Sequence, residues 1–298
     1  IAHPFDPRPA HETAYKLSRL RSASRDPHRR TLVLETEAGP YKRMITDAQG
    51  RQRFYHQIAH NAKAILVWNY RSRLSDGQVA DFHMQQWDGT TSRRGRSIGA
   101  FAGVLQRHAA LLNRVHPERV AAVLTLEAQQ VLSYVHHRSD YINRHESRIG
   151  AYKLLWDMNI PADCIAENNL DEMARYKVIL LPLVENMGAG VAERLARYVA
   201  GGGTVIAEAP FAFKDMEGHL LYRAPGCGLD AVFGGWTADR EGPETASPIR
   251  CPAGDASVHF FWHEFTLTDG TALAAYADGA PAVIANAYGK GRAVLAGT

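Results

Sequence analysis

The stretch Thr31–Pro40, TLVLETEAGP, decides how the first part of the chain is interpreted. A short apolar run closed by a Gly-Pro turn predicts a buried β-strand. In a β/α barrel the residues at the C-terminal ends of the strands project into the active site, because the loops after the strands build that face. Glu35 at the end of this run is therefore a candidate catalytic carboxylate. The alternative is a strand-end glutamate solvated by its own loop.

The elements around this strand alternate between helix and strand. The spacing of apolar residues predicts amphipathic helices over His11–Ser24 and Arg51–Ala62 and a long helix over Ile98–Val115. A second apolar strand is predicted over Ala64–Tyr70, and the long polar segment Arg71–Arg96 follows it. This order indicates parallel α/β architecture, in which long loops after strands carry function.

Composition excludes several classes of protein. The 298 residues are 46% hydrophobic and 22% charged, which is typical of a globular protein, and the net charge of +3 argues against a nucleic-acid partner. No apolar run approaches ~18 residues, so no membrane span is predicted. The 3 cysteines form no CxxC pair and the 14 histidines show no HExxH spacing. We therefore expect no metal and no cofactor.

Both ends of the sequence are expected to be cuts through a longer polypeptide. The chain begins with Ile1 rather than Met, and no charged segment followed by an apolar one indicates a signal peptide. The far end stops at GRAVLAGT, whose alternation predicts a strand with nothing after it. We expect a fragment. The sequence leaves the compartment open, with the cytoplasm as the working expectation.

The second part of the chain predicts a doubly wound parallel sheet, because strands and helices alternate with short loops. The strands are Arg119–Leu126, Lys177–Val184 and Thr204–Ala209, and the helices are Arg144–Met158 and Ala189–Val199. The three glycines Gly201–Gly203 are predicted to end the last helix in a left-handed C-cap.

From about Gly226 the sequence changes character, since glycine and proline become more frequent and no helix is expected. Tyr288–Arg292 is predicted to be a hairpin connection rather than a phosphate loop, because no helix follows it. The strands expected here are Val258–Trp262, Ala272–Tyr276, Ala282–Ala287 and Ala293–Ala296.

Two kinds of site are not supported by the second part. A dinucleotide fold needs GxGxxG after its first strand, but Glu127-Ala128-Gln129 follow that strand. An amidotransferase-like hydrolase needs a nucleophile at a strand-to-helix elbow, but this elbow contains neither Cys nor Ser and reads Pro182-Leu183-Val184-Glu185. The second part is therefore predicted to be a scaffold.

These residues resemble glycoside hydrolase family 42, the β-galactosidases. In that family strand seven of the catalytic barrel ends in a nucleophilic Glu within a hydrophobic-Glu-x-Gln-Pro-Gly-Pro segment, and Leu34–Pro40 occupies that place. The family's Glu-x-x-His and Asp-Gly after strand eight are matched by His83 and Asp88-Gly89. Tyr176–Ile179 and Tyr288–Arg292 resemble its middle domain, so that the resemblance covers nearly the whole chain.

The resemblance implies an α/β fold in two domains. Residues 1–116 would be the last strands of a (β/α)8 barrel, and residues 117–298 a doubly wound, class I glutamine amidotransferase-like (flavodoxin-like) domain, rich in strands from about residue 226. The implied activity is retaining hydrolysis of terminal β-linked galactosides or related oligosaccharides by a homotrimer. Glu35 would be the nucleophile, and His83, Arg71 and Glu37 would bind the sugar.

The chain also departs from the family's pattern. It contains no Asn-Glu pair, which supplies the acid/base carboxylate of the family, so these residues alone are not expected to hydrolyse a glycoside. Ala80 replaces the sugar-binding Glu, Lys42-Arg43 replace an Asn-Trp, and Glu37 replaces a Gln. Two carboxylates two residues apart raise the pKa of one of them. The alternative function is therefore a non-enzymatic carbohydrate-binding or assembly protein that retains the trimerisation domain.

Overall fold

The computed structural model forms two compact units, Ile1–Glu118 and Arg119–Thr298. It describes residues 10–23, 31–37, 39, 46–75, 77–116, 118–136, 138–242, 247–252, 254–258 and 261–298. Of the residues singled out above, Ala38, Pro40, Lys42 and Arg43 lie outside these ranges.

The first unit is built on two parallel strands, as the two apolar runs predict. The register pairs Leu32 with Ala64 and Glu37 with Trp68, so that both strands end at the same edge. In chain order the elements are α1 (Ala10–Ser22), β1 (Thr31–Glu37), α2 (Asp47–Ala59), β2 (Ala62–Trp68), α3 (Arg93–Arg107) and α4 (Ala109–Arg114).

The prediction of one long helix over Ile98–Val115 was wrong at its start and in its middle. α3 begins at Arg93, because the Ser92 hydroxyl accepts a hydrogen bond from the Gly95 N–H at 3.1 Å and caps the helix. The helical run is interrupted at His108, and α4 continues from Ala109. The capped start adds three arginines, Arg93, Arg94 and Arg96, to the beginning of α3.

One face of the strand pair is packed and the other is exposed. Leu17 of α1, Val33 and Ala62 form a buried cluster. On the opposite face, Leu34 and Leu66 remain 70% and 58% exposed. The packed face fixes β1 and β2 against the helices and thereby fixes the edge at which both strands end.

The second unit contains a nine-stranded mixed sheet in the order β4-β3-β5-β6-β13-β12-β11-β8-β9, with β7 and β10 forming a separate antiparallel pair. Its elements in chain order are β3 (Ala121–Leu124), α5 (Glu127–His136), α6 (Arg138–Asp157), β4 (Ala162–Ile165), a 3-10 helix (Glu167–Arg175), β5 (Val178–Leu181), α7 (Ala189–Ala200), β6 (Thr204–Glu208), α8 (Leu229–Phe233), β7 (Gly235–Glu241), β8 (Ser247–Arg250), β9 (Ala256–Val258), β10 (Trp262–Leu267), β11 (Thr271–Tyr276), β12 (Pro281–Tyr288) and β13 (Gly291–Ala296).

The predicted parallel sheet is confirmed for its three predicted strands, β3, β5 and β6, and the structure adds β13 and the unpredicted β4. β4, β3, β5, β6 and β13 are parallel neighbours, and this is the flavodoxin-like strand order. The remaining four strands extend the sheet in antiparallel fashion, and of these pairings the sequence predicted only the hairpin of β12 and β13. The expectation of no helix after Gly226 was wrong, because Leu229–Phe233 is helical between two glycines of positive φ.

The left-handed C-cap predicted at the glycine-rich end of α7 is confirmed. The Gly202 N–H donates to the Val199 carbonyl at 2.9 Å, and the Gly203 N–H donates to the Tyr198 carbonyl at 3.0 Å. Gly202 has a φ of +116°, and a Cβ on Gly203 would lie 2.2 Å from the Tyr198 ring. Glycine is therefore required at both positions.

The predicted hairpin between the last two strands is also confirmed. Tyr288 pairs with Gly291 across a two-residue turn, and Gly289 within that turn has a φ of +60°. A run over Val258–Trp262 was expected as one strand, but β9 ends at Val258 and β10 begins at Trp262. Among the described helices, none has the length and apolar character needed to cross a membrane.

Candidate active site

Glu35 and Glu37 lie at the carboxyl end of β1, on an irregular part of the strand. Val33 pairs with Ile65 and Thr36 pairs with Val67, so that β1 holds one residue more than β2 over this interval. Such a bulge re-aims the side chains that follow it and is common next to active sites. The Gln57 amide donates to the Thr36 hydroxyl at 2.9 Å, which ties the end of the strand to α2.

Glu37 is an unusual carboxyl group for a strand end. Its side chain is buried, with the residue only 6% exposed, and its Oε2 atom has no hydrogen-bond partner among the described residues. Burial and then the negative charge of Glu35 raise the pKa of Glu37 to about 7, while the charge of Arg53 opposes them. Glu37 is therefore close to half protonated at neutral pH and can donate a hydrogen bond there.

A small cavity connects Glu37 to the two helices that pack beside it. Arg53 of α2 and Arg94 of α3 line this cavity with Glu37, and its volume of about 20 Å³ has room for one water molecule. The Arg94 guanidinium also donates from Nε and Nη2 to the His83 carbonyl, at 3.3 and 3.2 Å. Arg94 therefore joins the carboxylate end of β1 to the segment that carries His83.

His83 is fixed beside the end of β2 by main-chain hydrogen bonds on both of its sides. The Asn69 N–H donates to the Phe82 carbonyl at 2.5 Å, and the Met84 N–H donates to the Asn69 carbonyl at 3.2 Å. The residue is only 5% exposed. Burial and then the positive charge of Arg94 lower the pKa of His83. Hydrogen bonds with the main chain of Asp81 and Ala80 and the negative charge of Asp81 oppose this shift. The imidazole is therefore neutral at neutral pH.

The structure does not bring Arg71 into the same cavity as Glu37. Arg71 lines a separate cavity of about 230 Å³ in the loop after β2, and the two cavities share no lining residue. Glu35 and Glu37 thus lie two residues apart on β1, Arg94 joins the cavity beside Glu37 to the His83 carbonyl, and Arg71 lines the other cavity. Of the four predicted residues, Glu35 and Glu37 lie on β1, while His83 and Arg71 both lie in the loop after β2.

The sequence interpretation missed Arg53 and Arg94. The signal that could have found Arg94 is Ser92, an N-cap residue directly before two arginines, which places the start of α3 earlier than the apolar spacing did. Arg53 already falls within the helix predicted over Arg51–Ala62, which the Thr46–Gln49 capping box makes begin at Asp47, so no local signal singles this residue out. Both residues are half-buried and owe their relevance to their place beside Glu37, which local patterns do not reveal.

The second unit has an elbow without a nucleophile. Leu183, directly after β5, has a φ of +46°, a left-handed conformation that is uncommon for a branched residue. The Gln129 side-chain amide donates to its carbonyl. The backbone turn is therefore present while the side chain is inert, which agrees with the predicted scaffold role.

One group of side chains in the second unit has a metal-ligand composition. Ligand atoms of Asp215, Glu217 and His219 all lie within 4.8 Å of one another. The Asp215 carboxylate, however, accepts the Glu217 and His219 N–H groups at 3.0 and 2.8 Å, as a turn-forming aspartate does. These bonds explain the cluster without a metal.

Comparison with known proteins gives a consistent result for the whole chain. A family model described as the β-galactosidase trimerisation domain matches residues 118–298. The β-galactosidase LacZ of Lactobacillus acidophilus is 20% identical over 100% of this chain and 46% of its own length. The chain therefore spans about half the length of the curated relatives it matches.

Solved structures agree on the fold. The β-galactosidase from Bacillus circulans sp. alkalophilus superposes with a TM-score of 0.89 at 22% identity, over 99% of this chain and 46% of that one. A catalytic mutant of Gan42B, a GH42 β-galactosidase from G. stearothermophilus, superposes with a TM-score of 0.87 at 18% identity. The match covers 97% of this chain and 43% of that one. At these identities the likeness shows the fold, and the predicted α/β class is confirmed.

Proposed function

Since the chain belongs to glycoside hydrolase family 42, the β-galactosidases with this trimerisation domain, we propose that it supplies the nucleophile of a retaining glycosidase acting on terminal β-linked galactosides. Glu35 is the nucleophile in this proposal. The observation that carries it is the Glu35–Glu37 pair at the carboxyl edge of two parallel strands, with His83 held beside it. Carboxyl edges of parallel strands are where such folds perform chemistry.

The mechanism requires two carboxyl groups with different roles. A retaining glycosidase uses one carboxylate as nucleophile and a second, ~5–5.5 Å away, as acid and then base. The family's acid/base group follows an Asn, and no Asn-Glu pair is present in these 298 residues. We therefore assign the acid/base to a part of the protein outside this sequence, and the (β/α)8 barrel would be completed by the same part.

Glu37 supports the nucleophile in its protonated form. The family's Gln at this position has an amide that donates a hydrogen bond, and a neutral carboxyl group has a similar shape and donates as well. Burial keeps Glu37 in this form to about pH 7. Above that pH Glu37 is ionised and places a second negative charge beside Glu35. The two negative charges together oppose the binding of electron-rich groups of a ligand. His83, neutral and tied to Arg94, contributes a sugar contact.

Assembly is the proposed role of the second unit. The family model that matches it is described as a trimerisation domain, and its elbow carries no nucleophile. We propose that three copies associate through residues 119–298. Light scattering coupled to size-exclusion chromatography tests this directly, because a trimer of 32.9 kDa chains is well separated from a monomer or a dimer.

The experiment on the catalytic proposal uses the longer protein that contains these residues. It is incubated with activated 2-deoxy-2-fluoro derivatives of galactose, glucose and arabinose, and the labelled peptide is mapped by mass spectrometry. A label on Glu35 supports a retaining glycosidase, and the sugar that labels fastest identifies the substrate. A folded trimer with no label on the peptide of residues 31–40 would contradict the proposal.

The alternative, a non-enzymatic carbohydrate-binding or assembly protein, is favoured by one observation. Ala80 takes the place of a sugar-binding carboxylate, and among the residues that the structure describes, none that lines the cavity beside it is acidic. In this alternative the same experiment gives a trimer that binds sugar but is never labelled.

A further inference from the structure

The connection between β6 and α8 contains a short hairpin, residues 213–222, which the proposed chemistry does not use. Main-chain hydrogen bonds join its two arms. The Leu221 N–H donates to the Phe213 carbonyl at 2.9 Å, and nearer the tip the Asp215 N–H donates to the His219 carbonyl at 2.9 Å. The Asp215 carboxylate closes the tip, because it accepts the His219 N–H at 2.8 Å. The 213–222 hairpin therefore has a defined shape of its own.

The base of this hairpin is fixed to the segment that follows β5. The N–H groups of Phe213 and Lys214 donate to the Glu185 carbonyl at 2.7 and 2.9 Å. The Lys214 ammonium group also pairs with the buried Glu185 carboxylate at 3.1 Å. The Asn186 side-chain amide donates to the Asp215 carbonyl at 2.8 Å. The outer side chains of the hairpin are thus held in a preformed arrangement, which lowers the entropy cost of binding a partner.

The outer face of the 213–222 hairpin is apolar. In its returning arm Leu220 is 69% exposed and Tyr222 is fully exposed, and Met216 at the tip is exposed as well. Leu221 is turned inward, since a Cβ on Gly226 would lie 2.4 Å from its Cδ1 atom. The side chains on either side of Leu221 therefore share the outer face. Large apolar side chains that stand together on a fixed backbone mark an interaction surface.

Charged groups of both signs surround this apolar face. Glu217 and His219 are exposed at the tip of the hairpin. Arg223, directly after Tyr222, pairs with Asp230 at 3.3 Å. An apolar centre with a polar rim is typical of a surface that binds another protein. Nucleic acid and anionic membranes are instead bound by patches of excess positive charge.

A second copy of this chain is the partner that the family match favours. Residues 118–298 match the model described as a trimerisation domain, and the 213–222 hairpin lies within them. In a closed ring of three copies each interface is heterologous, so that a patch on one copy meets a different patch on the next. A projecting hairpin suits such an interface, because it can insert into the surface of its neighbour. Tyrosine is among the residues that most often carry the binding energy of an interface.

From this geometry we propose that the 213–222 hairpin is the projecting contact of the trimer, with Leu220 and Tyr222 buried against the next copy. The inference rests on the proposed assembly through the second unit and adds the surface that carries it. A stable interface covers about 800 Å² on each partner, so the hairpin forms the centre of a larger contact. Because every copy carries the hairpin, one substitution in it alters all three interfaces.

The test is the oligomeric state of the 298-residue chain, measured by light scattering coupled to size-exclusion chromatography over a range of protein concentrations. Tyr222→Glu and the double variant Leu220→Ser/Tyr222→Ser are each expected to weaken association about thirtyfold or more. Monomer then appears at concentrations at which the parent is a trimer. Tyr222→Phe keeps the apolar ring and is expected to keep the trimer.

A matched control separates the position of the change from its chemistry. Leu111→Ser removes an exposed leucine from α4 in the first unit and is expected to leave the trimer intact. Circular dichroism and thermal melting show that each variant is folded.

A second measurement needs no substitution. Hydroxyl radicals oxidise exposed tyrosine rings, and mass spectrometry locates the modified residues. In the parent trimer Tyr222 is expected to be oxidised several times more slowly than Tyr70, although both are exposed in the single chain. Oxidation of Tyr222 as fast as that of Tyr70 in a trimer overturns the inference.

The outcomes separate this inference from the proposed assembly. A parent chain that is a monomer at every concentration overturns the assembly and the inference together. A parent trimer that stays a trimer in both Tyr222→Glu and the double variant keeps the assembly and overturns the inference alone. Loss of the trimer in these two variants, with Leu111→Ser still trimeric, supports the inference.

Discussion

The guanidinium of Arg94 donates two hydrogen bonds to the main-chain carbonyl of His83, at 3.3 and 3.2 Å. Because Arg94 also lines the cavity beside Glu37, it links the ends of β1 and β2 through a residue of α3. The site is therefore held by a helix that follows both strands in the chain. This dependence can be tested by substitution.

Arg94→Ala is expected to destabilise the chain by about 1–2 kcal/mol, because the partly buried carbonyl of His83 loses both of its donors. Urea denaturation followed by circular dichroism measures the loss. Arg107→Ala removes an exposed arginine from the other end of the same helix and is expected to change the free energy of unfolding by less than ~0.5 kcal/mol. Equal effects of the two substitutions would contradict the role given to Arg94.

Glu37→Gln is expected to change how stability depends on pH. The folded-state pKa of Glu37, about 7, lies above its ordinary value of 4.5. The folded state thus holds the proton more tightly, so the stabilisation is full below pH 4.5 and is lost as the pH rises to 7. The amide cannot ionise, and the variant should therefore exceed the parent in stability by about 1 kcal/mol at pH 8.

Denaturation at pH 5 and pH 8 measures this difference. Glu241→Gln serves as the control, because Glu241 is exposed at the end of β7. Its substitution should change the free energy of unfolding by the same amount at pH 5 and at pH 8. A Glu37→Gln variant whose stability falls between the two pH values as steeply as that of the parent would contradict the assignment.

In the longer protein, Glu35→Gln is expected to reduce kcat for an aryl β-galactoside by at least ~10³-fold, because the nucleophile is lost. Glu37→Gln should leave kcat nearly unchanged below pH 7 and should preserve activity at higher pH, where the parent loses it. Steady-state kinetics from pH 5 to pH 9 compares the two. A Glu35→Gln enzyme with ordinary kcat would remove Glu35 from the chemistry.

Gly203→Ala is expected to destabilise the second unit by about 2 kcal/mol or more, because the added Cβ would lie 2.2 Å from the Tyr198 ring. Gly190→Ala, near the start of α7, is the matched control: a Cβ there meets nothing within 4 Å, and helix propensity favours alanine by up to ~1 kcal/mol. Thermal unfolding of the two variants should shift in opposite directions. A Gly203→Ala protein as stable as the parent would show that the α7 cap tolerates a side chain.

Local sequence determined several parts of this protein by itself. The apolar runs that became β1 and β5 could be identified from their buried side chains. In β1 these lie mainly on one face, and in β5 they occupy nearly every position. The glycines after α7 and the turn between β12 and β13 could be identified because a positive φ restricts residue choice at single positions. These features depend on neighbours within a few residues. The family resemblance rested on motifs of the same local kind, around Glu35 and, more specifically, at Tyr176–Ile179 and Tyr288–Arg292 in the second part.

Tertiary structure alone decided the rest. β13, the last strand, lies between β6 and β12, so that its partner β6 is distant in the chain and no local pattern places it. The raised pKa of Glu37 comes from burial and then from the negative charge of Glu35, against the opposing charge of Arg53 on α2. Arg94 reaches His83 only because Ser92 starts α3 early and the loop after β2 folds back on Asn69. Burial, charge and strand order depend on which distant segments meet, and a sequence pattern reports only the segment that carries it.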